Sequence, residues 1–169
     1  MTSDPLKALL SPELESGEML DASKELSTGT DRSAALLGGQ LVANALMFLL
    51  LTKMRELSLD EINRLFHNEG TPLAGFAART KVAYALSLIG TITRDDLDTL
   101  RKIRNTFAHS PRVITFETPA IRQKTDQFKC VQSLEKDSAR ARFIIAVRCL
   151  MIHLSGKIGG RHPGVTSLD

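Results

Sequence analysis

The stretch AALLGGQLVANALMFLLL, residues 34–51, contains no charged side chain and is about as long as a bilayer crossing. Gln40, Asn44 and the Gly38–Gly39 pair interrupt its apolar surface, while Leu37, Leu41, Leu46 and Phe48 spread around a helix instead of gathering on one side. A helix that is apolar all round either spans a membrane or is wrapped by other helices. The polar interruptions favour the second, so residues 34–51 are expected to form the central core helix of a soluble domain.

Working outward from that helix, start and stop signals mark further helices on both sides. Asp31 is a cap residue for a long helix reaching about Leu57. Ser58-Leu59-Asp60-Glu61 has the form of a capping box that opens a short helix to about His67. Gly70 and Pro72 break the chain. Leu73 to Ile89 is apolar at Phe76, Val82, Ala83, Leu86 and Ile89, with Gly90 placed as a C-terminal stop. Thr93, three residues before Asp96, is expected to cap the next helix, whose Leu97, Leu100, Ile103 and Phe107 recur at steps of three and four. Ser110-Pro111 ends it. Val113 to Phe116 is a short extended candidate, and Pro119 suits a first helical position. A last helix from Asp137 to Ser155 carries Phe143, Ile144, Val147, Leu150, Met151 and Leu154 as its stripe, with Gly156 as its stop. The reading is an all-α single-domain helical bundle with short connections. Residues 1–27 are expected to be weakly ordered or helical, 28–156 to form the domain and 157–169 to form a flexible tail.

Composition agrees with one globular domain: 169 residues, 43% hydrophobic and 24% charged, enough chain to bury a single core. Cys130 and Cys149 form no C-x-x-C pair and are expected to be reduced thiols. The opening MTSDPLKALLSPELE has one Lys and three acids, with no basic leader before an apolar run, so a cytoplasmic location is expected. Charge is unevenly divided, with a net −5 over residues 1–78 and +8 over residues 79–169. The two halves either neutralise one another in the fold, or the basic half meets phosphate or an acidic partner.

Most chemical motifs are missing, including a phosphate loop, G-x-G-x-x-G and a G-x-S-x-G elbow. His67, His109, His153 and His162 lie on separate segments without metal-ligand spacing, so no metal and no cofactor is expected. Residues 59–67, the turn at Gly70 and the helix from Leu73 resemble a helix-turn-helix in outline. Its second helix, however, would offer Leu73, Ala74, Gly75 and Phe76 to the groove. Arg79 and Lys81 could reach phosphates, and nothing there reads a base edge.

RNTFAH, residues 104–109, is the constellation that stands out. At 100° per residue Arg104 lies on the rim of the apolar stripe, where a guanidinium needs an acidic partner or a functional anion. Asn105 and His109 share another face with Arg101. Arg104 and His109 differ by about 140° on a regular helix. They would converge only if the last turn unwinds before Pro111, or if a twofold dimer brings copies together.

An Arg followed by a polar residue, with a His five positions after the Arg, resembles the signature of the HEPN superfamily of small helical domains. Many of these are metal-independent endoribonucleases. The resemblance implies His109 as general acid or base, Arg104 as stabiliser of the charged phosphorane and Asn105 as the residue that orients them. A longer resemblance covers about residues 28–130: DRSAALL at 31–37, the apolar helix, PLAGFAARTKVAYALSLIG at 72–90, LRKIRNTFAH at 100–109 and ITFETPAI at 114–121. In this order the blocks look like the mannitol operon repressor family (MltR), all-helical proteins of about this size. That resemblance implies a transcriptional regulator of a carbohydrate operon that acts through a protein partner or nucleic acid, RNA more than directly read DNA. Arg101, Lys102, Arg104, Asn105 and His109 would form the binding surface of a homodimer, with no membrane involved. The alternatives are a HEPN-like endoribonuclease or toxin and a dimeric scaffold without chemistry.

Overall fold

The structure is a computed structural model, and it describes residues 16–67, 70–131 and 138–158. Its helices are α1 (Ser16–Thr28), α2 (Asp31–Leu51), α3 (Leu59–Ile62, continued by a π-helical turn, Asn63–His67), α4 (Phe76–Ala85), α5 (Thr91–His109), α6 (Pro119–Thr125) and α7 (Ala139–Ile158). A 3-10 turn, Lys129–Val131, precedes α7. Among the described residues no strand forms, and the chain is an all-α bundle.

α2 is the central element, packed against α7, α5, α1 and α4. Ala34, Ala35, Val42, Leu46, Met47, Leu49 and Leu50 are buried on all its sides, which is why its sequence shows no single apolar face. It is the one helix among the described residues long and apolar enough to cross a membrane, and 67% of its most apolar window is buried in the bundle.

Gly38 and Gly39 let two helices approach α2 at once. A Cβ at Gly38 would meet Val147 Cγ2 at 2.9 Å and Phe143 Cε1 at 3.1 Å, both on α7. One at Gly39 would meet Arg104 Cγ on α5 at 2.6 Å. Consecutive residues point about 100° apart on a helix, so the pair serves two neighbours in different directions.

The remaining core is aromatic. Phe107 of α5, Phe116 of the following loop and Phe143 of α7 pack ring to ring, with centroids 4.9 Å apart at both steps. Phe128 meets Phe143 edge-on at 6.3 Å. Leu97, Leu100, Ile103 and Phe107 are fully buried, as their spacing predicts.

Several expected boundaries move, each for a local reason. Thr30, not Asp31, caps α2, its Oγ1 accepting from the Ser33 N–H at 3.1 Å. The Asp31 carboxylate is engaged elsewhere, accepting from the Phe116 N–H at 2.8 Å and from Arg140 Nη1 at 2.5 Å. α2 ends at Leu51, where the Thr52 hydroxyl donates to the Leu49 carbonyl at 2.7 Å. The capping box at Ser58 forms as read, with Glu61 accepting from the Ser58 N–H at 2.8 Å.

α4 starts at Phe76 instead of Leu73, after Gly75 in extended geometry. Gly90 does not stop it: its φ is −86°, and it serves as the N-cap of α5 in place of Thr93. α4 instead closes with Leu88 N–H bonded to the Ala83 carbonyl and Ser87 N–H to the Tyr84 carbonyl. This is a Schellman closure that sets Ser87 at φ 56°. Pro119 opens α6 as expected. Val113–Phe116 pairs with no strand; Val113 is 97% exposed and Phe116 is buried.

At the ends, α1 covers part of the segment expected to be weakly ordered or helical, and its Leu26 is buried. α7 continues through Gly156 to Ile158. The rest of the expected tail, like residues 1–15, lies outside the described residues.

Candidate functional site

α5 carries the site because its two faces differ so sharply. The buried stripe anchors one face on α2, and Asp98, Arg101, Lys102, Asn105 and His109 emerge on the other side. Arg104 sits on the boundary. Its stem lies across Gly39, which holds the guanidinium at the mouth of a cavity of about 360 Å³ between α2, α4 and α5. Arg104 is half-buried, and its Nη1 donates to Asn105 Oδ1 at 3.1 Å. Among the described residues no carboxylate pairs with it.

Arg101 lines the same cavity. Its Nε and Nη2 donate to Asp98 Oδ1 at 3.2 and 2.6 Å, and Lys102 Nζ reaches Asp98 Oδ2 at 2.6 Å. Burial opposes ionisation of Asp98, yet the hydrogen bonds from Lys102 and Arg101 hold its carboxyl below the usual carboxylate range. One carboxylate is thus shared by two cations.

Arg79 forms the floor of the cavity. Arg79, which the sequence alone would allow to reach phosphates, is not free to do so, because only 6% of it is exposed and its guanidinium is engaged by backbone carbonyls. Nε donates to Leu73 O at 2.7 Å, Nη1 to Ala43 O at 3.1 Å and Nη2 to Phe66 O at 3.0 Å. The same guanidinium lies 5.4 Å from the Phe66 ring centroid. Burial pulls its pKa below the ordinary value. These bonds lock the second helix of the helix-turn-helix outline onto the bundle, while Lys81 remains exposed.

The other wall of the cavity is the start of α4. Gly75, Phe76 and Ala77 line it, and no side chain caps this helix, so its first N–H groups are unspent. Gln40 of α2, with its amide nitrogen donating to Asn44 Oδ1 at 2.8 Å, forms part of the rim. Gly39, Gln40 and Gly75 were not among the expected site residues. The sequence signals were a glycine inside an apolar helix and a helix start with no capping side chain.

Of the expected site residues, the structure gathers Arg101, Arg104 and Asn105 at one cavity and leaves Lys102 and His109 outside it. His109 is exposed at the end of α5. α5 remains helical through His109, and Ser110 N–H still bonds to the Thr106 carbonyl at 3.0 Å. The last turn therefore does not unwind, and Arg104 and His109 keep pointing apart within one chain. Cys130 and Cys149 are free. Cys130 is exposed, and partial desolvation of its thiol, with Asp96 beside it, shifts the thiol pKa upward.

No curated protein matches the chain significantly. Among solved structures, the fold is similar to that in the "X-ray structure of the MtlR-HPr complex from Escherichia coli", with a TM-score of 0.65 and 19% identity over 80% of this chain and 97% of that one. The family model described as mannitol repressor, MtlR, matches residues 19–144, a span that takes in α2, the cavity-lining start of α4, all of α5 and the aromatic core, and the chain belongs to that family.

Proposed function

We propose that this protein regulates expression of a carbohydrate operon by docking a protein partner, without a DNA-reading helix of its own. The family match over residues 19–144 carries the reading. The burial of Arg79 against backbone carbonyls supports the second half of it, since one of the two cations that could anchor a helix-turn-helix on DNA phosphates is spent inside the fold. The similar Escherichia coli structure is a complex with HPr, and we take HPr as the partner to test. The exposed face of α5, with Arg101, Lys102 and His109, is the docking surface we assign.

The test is titration calorimetry of the full chain with the HPr of its source organism, together with operon expression after deletion of the gene. Saturable binding and a change in expression are expected. Lys102→Glu combined with His109→Glu should weaken binding about tenfold or more, as charge reversals at an interface do. Absence of both binding and an expression change would refute the reading.

A further inference from the structure

The cavity between α2, α4 and α5 holds more positive charge than its own side chains can balance. Arg79, Arg101 and Arg104 line it, and no Asp or Glu does. The nearest carboxylate, Asp98, is already divided between Arg101 and Lys102. Arg79 satisfies its hydrogen bonds with neutral carbonyls, so its donors are met while its charge is not. Arg104 spends one donor on Asn105 and has no carboxylate partner among the described residues.

Guanidiniums lining one cavity repel one another, and a half-buried site screens them less than open water does. A fold that places them on one cavity, with no acid in the lining and a single carboxylate shared by Arg101 and Lys102, is complementary to an anion. The opposite wall adds to this, because the uncapped start of α4 presents backbone N–H groups and the positive end of a helix dipole. The remaining lining, Phe76 with Ala43, Ala74 and Ala77, is apolar. About 360 Å³ is at the small end of the range for metabolite pockets.

We propose that this cavity binds a small organic molecule bearing a phosphate monoester, held by Arg101 and Arg104 with the first N–H groups of α4, its organic part against Phe76 and the alanines. A doubly charged, multi-acceptor group matches forked guanidinium donors better than a single carboxylate does. The site goes beyond the partner reading and does not depend on it.

The test is NMR titration of the 15N-labelled full chain with inorganic phosphate and with glycerol 3-phosphate, against sodium chloride at equal ionic strength and without HPr. Saturating shifts are expected at the amides of Gly75, Phe76 and Ala77 and at Arg104 Nε–H, with glycerol 3-phosphate binding at least as tightly as phosphate. Arg104→Gln should weaken binding about tenfold, the effect of one charge-assisted hydrogen bond. Gln40→Glu sets a carboxylate on the rim of an otherwise unchanged surface and should weaken it similarly, with the circular dichroism spectrum retained. Shifts that chloride reproduces, shifts confined to other parts of the chain, phosphate binding without glycerol 3-phosphate binding, or undiminished binding by both variants would each overturn the proposal. HPr binding is measured separately, so failure of one reading leaves the other standing.

Discussion

At the scale of single residues, Arg79 has the greatest structural consequence. Its carbonyl acceptors, Ala43, Phe66, Leu73 and Ala74, come from α2, from the π-helical turn and from the loop before α4. These carbonyls lie on three separate segments, and the planar fork of a guanidinium reaches all of them at once. Arg79→Met keeps most of the volume and removes the guanidinium donors from those carbonyls in the interior, leaving the ones outside regular helix unpaired. The expected loss is about 3 kcal/mol, given 1–3 kcal/mol for each unsatisfied buried group and partial relaxation. That corresponds to a melting temperature lower by about 6–12 °C for a chain of this size, measurable by thermal unfolding followed by circular dichroism. An unchanged melting temperature would show that water replaces the guanidinium without cost. This role was not legible in the sequence, where Arg79 read as a cation able to reach phosphates on the helix from Leu73, because its partners are main-chain atoms as far as 36 positions away.

At the scale of elements, Gly39 decides how closely α5 approaches α2. A methyl there would lie 2.6 Å from Arg104 Cγ and 3.0 Å from its Cβ. Gly39→Ala is therefore expected to cost about 1–3 kcal/mol by overpacking, less the gain from a better helix former. Because the clash is with the Arg104 stem, Gly39→Ala combined with Arg104→Ala should be less destabilised than the two single changes added together. Urea unfolding of the four proteins in this double-mutant cycle measures the coupling, and strict additivity would show that the backbones, not this side chain, set the spacing.

The short helix α3 is a case in which the sequence motif and the structure coincide. Hydrogen bonds from the Ser58 backbone, Arg55 and the Ser58 hydroxyl bring the Glu61 carboxyl down to about 2. A depressed carboxylate pKa contributes stability that is present above the unfolded value and is lost as pH falls through the folded one. The cap should therefore hold throughout neutral pH and loosen between about 4.5 and 2. The 13C carboxyl titration of Glu61 should show a midpoint near 2, moving up toward the ordinary range in Ser58→Ala, where loss of the cap costs about 1 kcal/mol. The cap was readable because every atom in it lies within four residues. Gly90 and Thr93 misled for the opposite reason: the termini of α4 and α5 share one corner, and the Schellman closure there is set by Ser87, a residue type without a strong preference for positive φ.

At the scale of the whole molecule, ion pairs and carboxylate caps tie distant segments together. Asp31 joins the start of α2 to Phe116 and to Arg140 of α7, while Arg140 also reaches the Gly29 carbonyl at 2.5 Å. Asp96, buried in α5, accepts from the N–H groups of Lys129 and Cys130 at 2.8 and 3.0 Å and so fixes the 3-10 turn before α7. Asp31→Ala should cost about 2–3 kcal/mol by leaving a buried N–H unpaired and a half-buried guanidinium without its carboxylate. The loss should fall most heavily on protection of the Phe116 amide in hydrogen exchange. Equal protection in variant and parent would show that this contact does not hold the loop. The basic half of the chain meets much of its acid close by, through Lys129–Asp95, Arg101–Asp98 and Arg122–Glu117. The excess charge therefore persists locally, and part of it collects at the cavity.

The sequence by itself determined the helical class, the central place of residues 34–51, the buried stripe of α5 and the capping box at Ser58. Each of these follows from periodicity or from contacts within one turn, where spacing along the chain and spacing in space are the same thing. Tertiary structure alone decided that Gly38 and Gly39 serve two different helices, that Arg79 is spent on carbonyls, and that Arg101 and Arg104 face a common cavity while His109 does not. Those outcomes depend on which helices lie side by side, and adjacent packing is set by the summed burial of the whole bundle, not by any local pattern.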